Sequence, residues 1–143
     1  MRTQPRTVFV SLPVKDLDRS VSFFTGLGFC FNPQFTDDRA TAMVLNDGTF
    51  VMLLVEEFFT TFTGKPVPQP SEVVIGLSAQ SPAEVDELVE RALGSGGATS
   101  QDRISDGAMY GWSFRDPDGH HWELIHMAVP DEAPRDRRPA AET

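Results

Sequence analysis

The chain is organised around residues 115–126, which have the sequence Arg115-Asp116-Pro117-Asp118-Gly119-His120-His121-Trp122-Glu123-Leu124-Ile125-His126. The first half contains aspartate, proline and glycine, the residue types typical of a tight turn. The second half is strand-like and carries all 3 histidines of the chain. Side chains two residues apart share one face of a strand. His121, Glu123 and Ile125 are therefore predicted on one face, and His120, Trp122, Leu124 and His126 on the other. We expect any reactive site to lie along this strand.

The rest of the second half predicts a strand, a helix and further strands. Residues 72–79 have strand character, and Ser81-Pro82-Ala83-Glu84 is a capping box with proline at the first helical position. The helix is expected to end at the glycines of residues 94–97. A polar strand or loop follows at 98–104, then a strand at 109–114, the turn at 116–119 and the strand at 120–127.

The first half predicts the same order of elements. A strand at 7–14 precedes a helix capped by Asp16 and ended by Gly26 and Gly28, and strands are predicted at 29–35, 40–45 and 50–55. The helix caps Asp16 and Ser81 lie 65 positions apart, and the turn residues Asp47 and Asp118 lie 71 apart. An insertion at 94–100 reconciles the two offsets. These matched features indicate a duplicated β-α-β-β-β unit.

The pattern predicts a single domain over residues 1–128. Module 1 spans about 7–55, a linker 56–71, and module 2 about 72–127. The linker contains Phe58, Phe59 and Phe62, which predict a short helix or an amphipathic loop, and then prolines that break regular structure. Ordinary packing of these phenylalanines is favoured over a lid. Residues 129–143 lack apolar periodicity and are expected to form a disordered tail.

Charge and composition exclude several classes of partner. The chain of 143 residues has a net charge of −9, which disfavours nucleic acid or an anionic membrane surface as a partner. No apolar run approaches the roughly 18 residues of a membrane span. A single cysteine, Cys30, rules out an intrachain disulfide and a thiolate metal cluster. We expect a soluble, cytoplasmic protein.

Three stretches make the chain similar to the vicinal oxygen chelate superfamily, which includes glyoxalase I, extradiol dioxygenases, and fosfomycin- and bleomycin-resistance proteins. They are Leu12-Pro13-Val14-x-Asp16-Leu17-x-Arg19-Ser20-x-x-Phe23-Phe24, Leu27-Gly28-Phe29 and Phe114-Arg115-Asp116-Pro117-Asp118-Gly119. Met109-Tyr110-Gly111 and Gly119-His120-x-Trp122-Glu123 look most like the predicted lactoylglutathione lyase subgroup. The resemblance covers roughly residues 7–127. It implies an α+β fold of two tandem β-α-β-β-β modules, with curved mixed sheets around a cleft, and a homodimer.

The resemblance also implies one metal ligand from each of four strands. Glu123 stands at the last of these positions, but the other three fall on Phe9, on Val74 and on either Met52 or Leu53. None of these side chains suits a hard or borderline cation. A displaced site for zinc, nickel, manganese or iron would need Glu123, His121 and a third ligand such as Glu72. The alternative is that Glu123 and His121 are hydrogen-bonding residues of a pocket without a metal.

Two functions stay open at this stage. The first is a small-molecule-binding protein of the bleomycin-resistance type with a largely degenerate metal site. Its apolar cleft would hold an aromatic or amphipathic ligand between Glu123 and His121 as polar contacts and the apolar residues Phe9, Leu53, Val74, Tyr110 and Trp112. Tyr110 and Trp112 belong to this set if their shared face is the concave one.

The second function is a divalent-metal-dependent lyase or dioxygenase in which Glu123 is the catalytic ligand or base. A purely structural or partner-binding module is a weaker third option. Trp122 and His126 are expected to face away from the cleft, either beneath the helices or at a dimer contact.

Overall fold

Two mixed β-sheets, one from each half of the chain, form the framework of the protein in a computed structural model that describes residues 3–128. The first sheet has the strand order β1-β4-β3-β2 and the second β5-β9-β8-β6, with β7 paired to β8. The strands are β1 (Val8–Val14), β2 (Cys30–Asn32), β3 (Ala40–Asn46), β4 (Thr49–Val55), β5 (Val74–Ser78), β6 (Ala98–Thr99), β7 (Ile104–Asp106), β8 (Met109–Arg115) and β9 (His121–Met127).

Three helices complete the fold: α1 (Leu17–Gly26), α2 (Glu56–Thr63) and α3 (Pro82–Gly94). The predicted caps are present, because Asp16 accepts a hydrogen bond from the backbone of Arg19 and Ser81 accepts one from the backbone of Glu84. Within residues 3–128, no helix has both the length and the apolar character needed to cross a membrane. The predicted α+β class with two mixed sheets is confirmed.

The two halves use the same strand register. β1 pairs in parallel with β4, which places Phe9 beside Phe50. β5 pairs in parallel with β9, which places Val74 beside His121. Val74 follows Phe9 by 65 positions, which is the offset between the two helix caps. His121 follows Phe50 by 71 positions, which is the offset between the two turns. Corresponding positions of the two modules therefore lie at corresponding points of the two sheets.

The prediction of a strand over residues 29–35 is wrong beyond Asn32. A 3₁₀ turn covers Pro33–Phe35 instead. Proline has no N–H for a strand ladder, and the Asn32 side chain accepts a hydrogen bond from the backbone of Gln34 at 2.9 Å, which favours the turn. The predicted polar strand or loop at 98–104 divides into β6 and the start of β7.

One hydrophobic core lies between the two sheets and the helices α1 and α3. Trp122 of β9 is fully buried there, with its ring 5.0 Å from Phe24 of α1 and stacked on Phe114 of β8 at 6.4 Å. Trp122 thus faces away from any open surface, as the alternation predicts. We call the opposite face of each sheet its open face.

The turn before β9 holds the two halves of the chain together. The Oδ1 atom of Asp118 accepts a hydrogen bond from the backbone N–H of Lys15 at 2.9 Å, and its Oδ2 atom accepts one from the Ser20 hydroxyl at 3.2 Å. The Nε2 atom of His120 lies 2.7 Å from the carbonyl oxygen of Pro13 and donates to it. These contacts join β9 to the start of α1.

The Asp116 side chain stabilises this turn by accepting hydrogen bonds from residues within it and from Trp122. Its Oδ1 atom accepts hydrogen bonds from the backbone N–H groups of Asp118 and His120, and its Oδ2 atom accepts one from the indole N–H of Trp122 at 3.0 Å. Burial raises the pKa of the Asp116 carboxyl above its ordinary value, and the charge of His120 and the N–H donors reduce this shift. The Asp-Pro-Asp-Gly-His segment therefore holds the two modules in contact with each other.

Candidate functional site

The open face of the first sheet is apolar and partly exposed. Phe9 and Ser11 of β1 alternate with the core residues of that strand, and their partners in β4 are Phe50 and Met52. Phe9 is 53% exposed, although it is a large aromatic side chain. Its ring stacks on that of Phe50 with centroids 5.4 Å apart, and the edge of Phe35 approaches both rings at 6.4 Å. An aromatic surface is thus available on this sheet.

The open face of the second sheet is more polar around β9. The register of β5 with β9 pairs Val74 with His121 and Gly76 with Glu123. On its other side Glu123 is paired with Ser113 of β8. Val74 is 59% exposed. His121, Glu123 and Val74, three of the residues singled out in the sequence, are therefore brought together on one face.

Glu123 is a half-buried carboxylate with small neighbours on both sides. A methyl group added to Gly76 would lie 3.8 Å from the Oε1 atom of Glu123, so the carboxylate lies against the bare backbone of β5. Ser113, on the other side, is buried and accepts a hydrogen bond from the backbone of Gln101. Within residues 3–128 no hydrogen bond or ion pair to Glu123 is found. Its carboxylate can therefore accept hydrogen bonds from a ligand.

His121 is oriented by a second side chain. Its Nδ1 atom lies 3.2 Å from the hydroxyl oxygen of Ser100, which comes from the segment between β6 and β7. This contact fixes the plane of the ring. Along the part of the chain that the structure describes, Nε2 of His121 makes no hydrogen bond. The imidazole therefore presents one free nitrogen.

Leu53 does not belong to this site, which corrects the prediction that it lines the cleft. It is fully buried and pairs with Leu12 of β1 on the core face. Met52, the other residue at which the fourth family position could fall, lies on the open face with Ser11. A shift of one residue along a strand reverses the face, and the sequence alone did not determine the register at this position.

Tyr110 and Trp112 are not on the Glu123 face either. Trp112 is paired with Leu124, and Tyr110 with His126, so both point to the helix side of the second sheet. The conditional prediction that they line the same cleft is therefore not met.

Both aromatic side chains contact polar or charged residues on the helix side of the second sheet. The Tyr110 hydroxyl donates to Asp86 of α3 at 2.5 Å, and this hydrogen bond, together with burial, raises the pKa of Tyr110. The guanidinium of Arg103 lies over the Trp112 ring at 3.9 Å. Tyr110 and Trp112 thus stabilise the contact of α3 with its sheet.

The side chains at the four positions where the resemblance implies metal ligands do not fit a divalent cation. Phe9, Val74 and Met52 offer no oxygen or nitrogen ligand, which leaves Glu123 alone. In residues 3–128 no group of three or more histidine, cysteine, aspartate or glutamate side chains is placed to hold a metal ion. The displaced arrangement of Glu123, His121 and Glu72 is thus not assembled, and no catalytic step through a metal follows from this geometry.

The site contains residues that sequence reasoning missed. Ser11 and Gly76 lie two residues after Phe9 and Val74, so strand alternation could have placed them on the open faces. Phe50 could have been found in the same way from Met52. Ser100 could not, because its contact with His121 depends on how a loop folds over the sheet.

Comparison with known proteins identifies the relatives of this chain. It is similar to the structure of hypothetical protein SA1046 from S. aureus, with 31% identity, a TM-score of 0.74 and coverage of 88% of this chain and 95% of that one. It is also similar to a glyoxalase-related enzyme from Fulvimarina pelagi, with 24% identity, a TM-score of 0.76 and coverage of 89% and 91%.

The fosfomycin resistance protein FosX from Listeria monocytogenes shares the fold at 20% identity and a TM-score of 0.64, with coverage of 92% of this chain and 96% of that one. No curated protein sequence matches the chain. The family profile described as Glyoxalase/Bleomycin resistance protein/Dioxygenase superfamily matches residues 6–124. The chain belongs to this superfamily.

Proposed function

We propose that the chain binds a small amphipathic molecule on the open faces of its sheets, without a bound metal. The ligand has an aromatic or apolar body and a positively charged or hydrogen-bond-donating group. The observation that carries this proposal is the half-buried carboxylate of Glu123, which has no partner within residues 3–128 and lies between the small residues Gly76 and Ser113. A polar group partly removed from water without a partner is costly unless a ligand satisfies it.

The apolar part of the ligand is expected to lie on exposed aromatic and aliphatic side chains. Phe9 and Val74 are more than half exposed at corresponding positions of the two modules. Burying such surface under a ligand stabilises a complex by about 25 cal/mol per Å² of apolar area. Ligand sites commonly combine a mostly apolar lining with a few polar groups that orient the ligand, as here.

The charge of the protein favours a cationic over an anionic group. The net charge of −9 raises the local concentration of cations around the molecule. Glu123 then supplies a specific contact, because a hydrogen bond to an ionised carboxylate is stronger than one between neutral groups. An amine is therefore expected to bind more tightly than the matching alcohol.

A pair of matched probes tests this proposal. Binding of 1-naphthylmethylamine and 1-naphthylmethanol would be measured by calorimetry for the wild type and for Glu123→Gln. The substitution is expected to weaken the amine about tenfold, equivalent to about 1.4 kcal/mol, and to change the alcohol little. Phe9→Ala should weaken both probes to a similar extent, because the shared naphthalene ring loses its contact.

Glu87→Gln is the matched control for charge. Glu87 lies on α3 and pairs with Arg91, so its loss changes the net charge equally without touching the open face. The proposal is wrong if Glu87→Gln and Glu123→Gln weaken the amine to the same extent, or if neither probe binds the wild type.

We also propose that the chain forms a homodimer through the outer part of the second open face. Ile104 and Met127 are 44% and 50% exposed on this face. Exposed apolar patches of this kind mark interaction surfaces. Sedimentation equilibrium should give a dimer for the wild type and a monomer for Met127→Glu. A wild-type monomer at all concentrations would exclude it.

A further inference from the structure

A cavity of about 90 Å³ lies where the two modules and the linker meet. We call it the seam cavity. Residues of β1, α2, the linker, β5 and the start of β9 line it: Ser11, Leu12, Pro13, Phe59, Pro68, Gln69, Pro70, Ser71, Glu72, Val73, Ile75, His120 and His121. Ser11 and His121 are open-face residues of the two sheets. The cavity therefore borders the open faces of both sheets.

Helix α2, which follows β4 in the linker, contributes to the wall of the seam cavity. The Phe59 side chain of α2 is half-buried at the cavity, whereas Phe62 on the same helix is 68% exposed and does not line it. Phe59 therefore lines the seam cavity on the α2 side, and Phe62 does not.

The lining of the seam cavity is mostly apolar and includes several polar side chains. Leu12, Phe59, Val73 and Ile75 present hydrocarbon walls. Polar side chains also line the cavity, and His121 is the one among them on which the argument rests. Ser100 holds its Nδ1 atom, and Nε2 has no partner in the described chain. An imidazole nitrogen can donate or accept a hydrogen bond according to its tautomer.

We propose that the seam cavity is a binding compartment for a short, neutral aliphatic group that carries a hydroxyl, with the hydroxyl hydrogen-bonded to His121. The inference rests on the proposed function for the rest of the ligand, which lies on the open faces. Phe59 is then the residue that determines the size of the group accepted at this end.

Size and charge both support this class of group. An enclosed apolar cavity of about 150 Å³ holds benzene, whereas this cavity of about 90 Å³ is partly open to solvent. The part of a ligand that lies inside it therefore corresponds to a branched chain of a few carbons. The carboxylate of Glu72 at the wall disfavours an anion. A hydroxyl matches either tautomer of His121, because it both donates and accepts.

Isobutanol is the probe for the test, and the ring protons of His121 in NMR spectra of the full chain are the readout. The chain has 3 histidines, so each ring is assignable by substitution. A saturable shift of the His121 resonances is expected, with His126 unchanged because it faces the opposite side of β9 and contacts Ala79. Absence of a saturable His121 shift would overturn the proposal.

Three substitutions make the test specific to the cavity. Phe59→Ala enlarges the cavity and should weaken isobutanol at least fivefold while allowing benzyl alcohol to bind. Phe62→Ala removes the same ring from the same helix outside the cavity and should change neither affinity. Val73→Phe, at a residue that is 48% exposed, should fill the cavity and abolish binding even if Phe59→Ala does not fold. Equal effects of Phe59→Ala and Phe62→Ala would also overturn the proposal.

The Glu123→Gln variant tests binding in the seam cavity separately from binding on the open faces. The variant should bind isobutanol like the wild type, because Glu123 does not line the seam cavity. If isobutanol fails to bind but the naphthyl amine still requires Glu123, the seam cavity alone is wrongly assigned. If isobutanol binds and neither naphthyl probe does, the proposed function fails and the cavity remains a separate site.

Discussion

The side chain of Asp118 accepts a hydrogen bond from the backbone N–H of Lys15 at 2.9 Å, although 103 residues separate them. This bond crosses from the last turn of the second module to the residue before the N-cap of α1. The Asp118 side chain is only 4% exposed, and it also accepts hydrogen bonds from Ser20 and Arg19. The turn before β9 therefore connects the second module to the first through the Asp118 side chain.

Asp118→Ala should destabilise the protein by about 2–4 kcal/mol. The substitution removes an acceptor from the N–H of Lys15 and from the Ser20 hydroxyl, and the buried hydroxyl loses its partner. Urea unfolding followed by circular dichroism measures the change. Asp38→Ala, at an exposed aspartate on the surface, is the control and should cost less than about 0.5 kcal/mol. Equal losses of stability in the two variants would contradict a stabilising contact between the modules at Asp118.

The contribution of Asp116 to stability should decrease as the pH rises. Its pKa in the folded protein is raised above the ordinary value of 3.8, so the folded state binds the proton more tightly than the unfolded chain does. This favourable term is complete below the unfolded pKa and is lost as the pH rises through the folded pKa. The stability difference between the wild type and Asp116→Asn should thus fall with pH, by up to about 1.4 kcal/mol for each unit of raised pKa.

Urea unfolding of both proteins between acid and neutral pH measures this difference. Asp38→Asn corrects for the general effect of pH on the chain. A difference that instead grows with pH would mean that the three N–H donors around Asp116 outweigh its burial.

Gly119→Ala should destabilise the protein by about 1–3 kcal/mol. The backbone of Gly119 has a φ of +90°, and an added Cβ atom would lie 3.1 Å from Pro70 of the linker. Gly48→Ala, in the equivalent turn of the first module, meets nothing within 4 Å and should be nearly neutral. Thermal unfolding of the pair tests whether the linker packs on the turn; similar melting temperatures would contradict that packing.

Leu53→Ala and Met52→Ala should separate stability from binding. Leu53 is fully buried, so its truncation should cost about 2–5 kcal/mol and leave the affinity for 1-naphthylmethanol unchanged in the folded protein. Met52 lies on the open face, so its truncation should cost about 1 kcal/mol and weaken the probe several-fold. The reverse pattern would show that the register assigned to β4 is wrong.

Tyr110 should titrate above its ordinary pKa of 10.0. The hydrogen bond to Asp86 is the main cause, because a nearby carboxylate stabilises the neutral phenol and repels the phenolate. The chain has 1 tyrosine, so ultraviolet titration reports Tyr110 alone. Asp86→Asn should lower the pKa towards 10.0, whereas Glu87→Gln on the same helix should not. An unchanged pKa in Asp86→Asn would rule out this contact in solution.

Much of the fold could be predicted from local patterns. The caps Asp16 and Ser81 and the alternation in β9 predicted helices, strands and the burial of Trp122. Periods of 3.6 and 2 residues determine which side chains share a face of one element, and these periods are visible in a single sequence. The end of β2 was missed because the local turn preference of Asn32-Pro33 outweighed the apolar run.

The duplicated unit and the shared face of His121 and Glu123 could be predicted without a structure, because both depend on spacing along the chain. The tertiary structure was needed to show that Met52 rather than Leu53 lies on the open face of the first sheet, and that Tyr110 and Trp112 do not lie on the open face of the second. Those outcomes depend on register between strands distant in the chain. The opening stretch, residues 115–126, therefore has two roles: its turn joins the modules through Asp118, and its strand presents Glu123 to the open face.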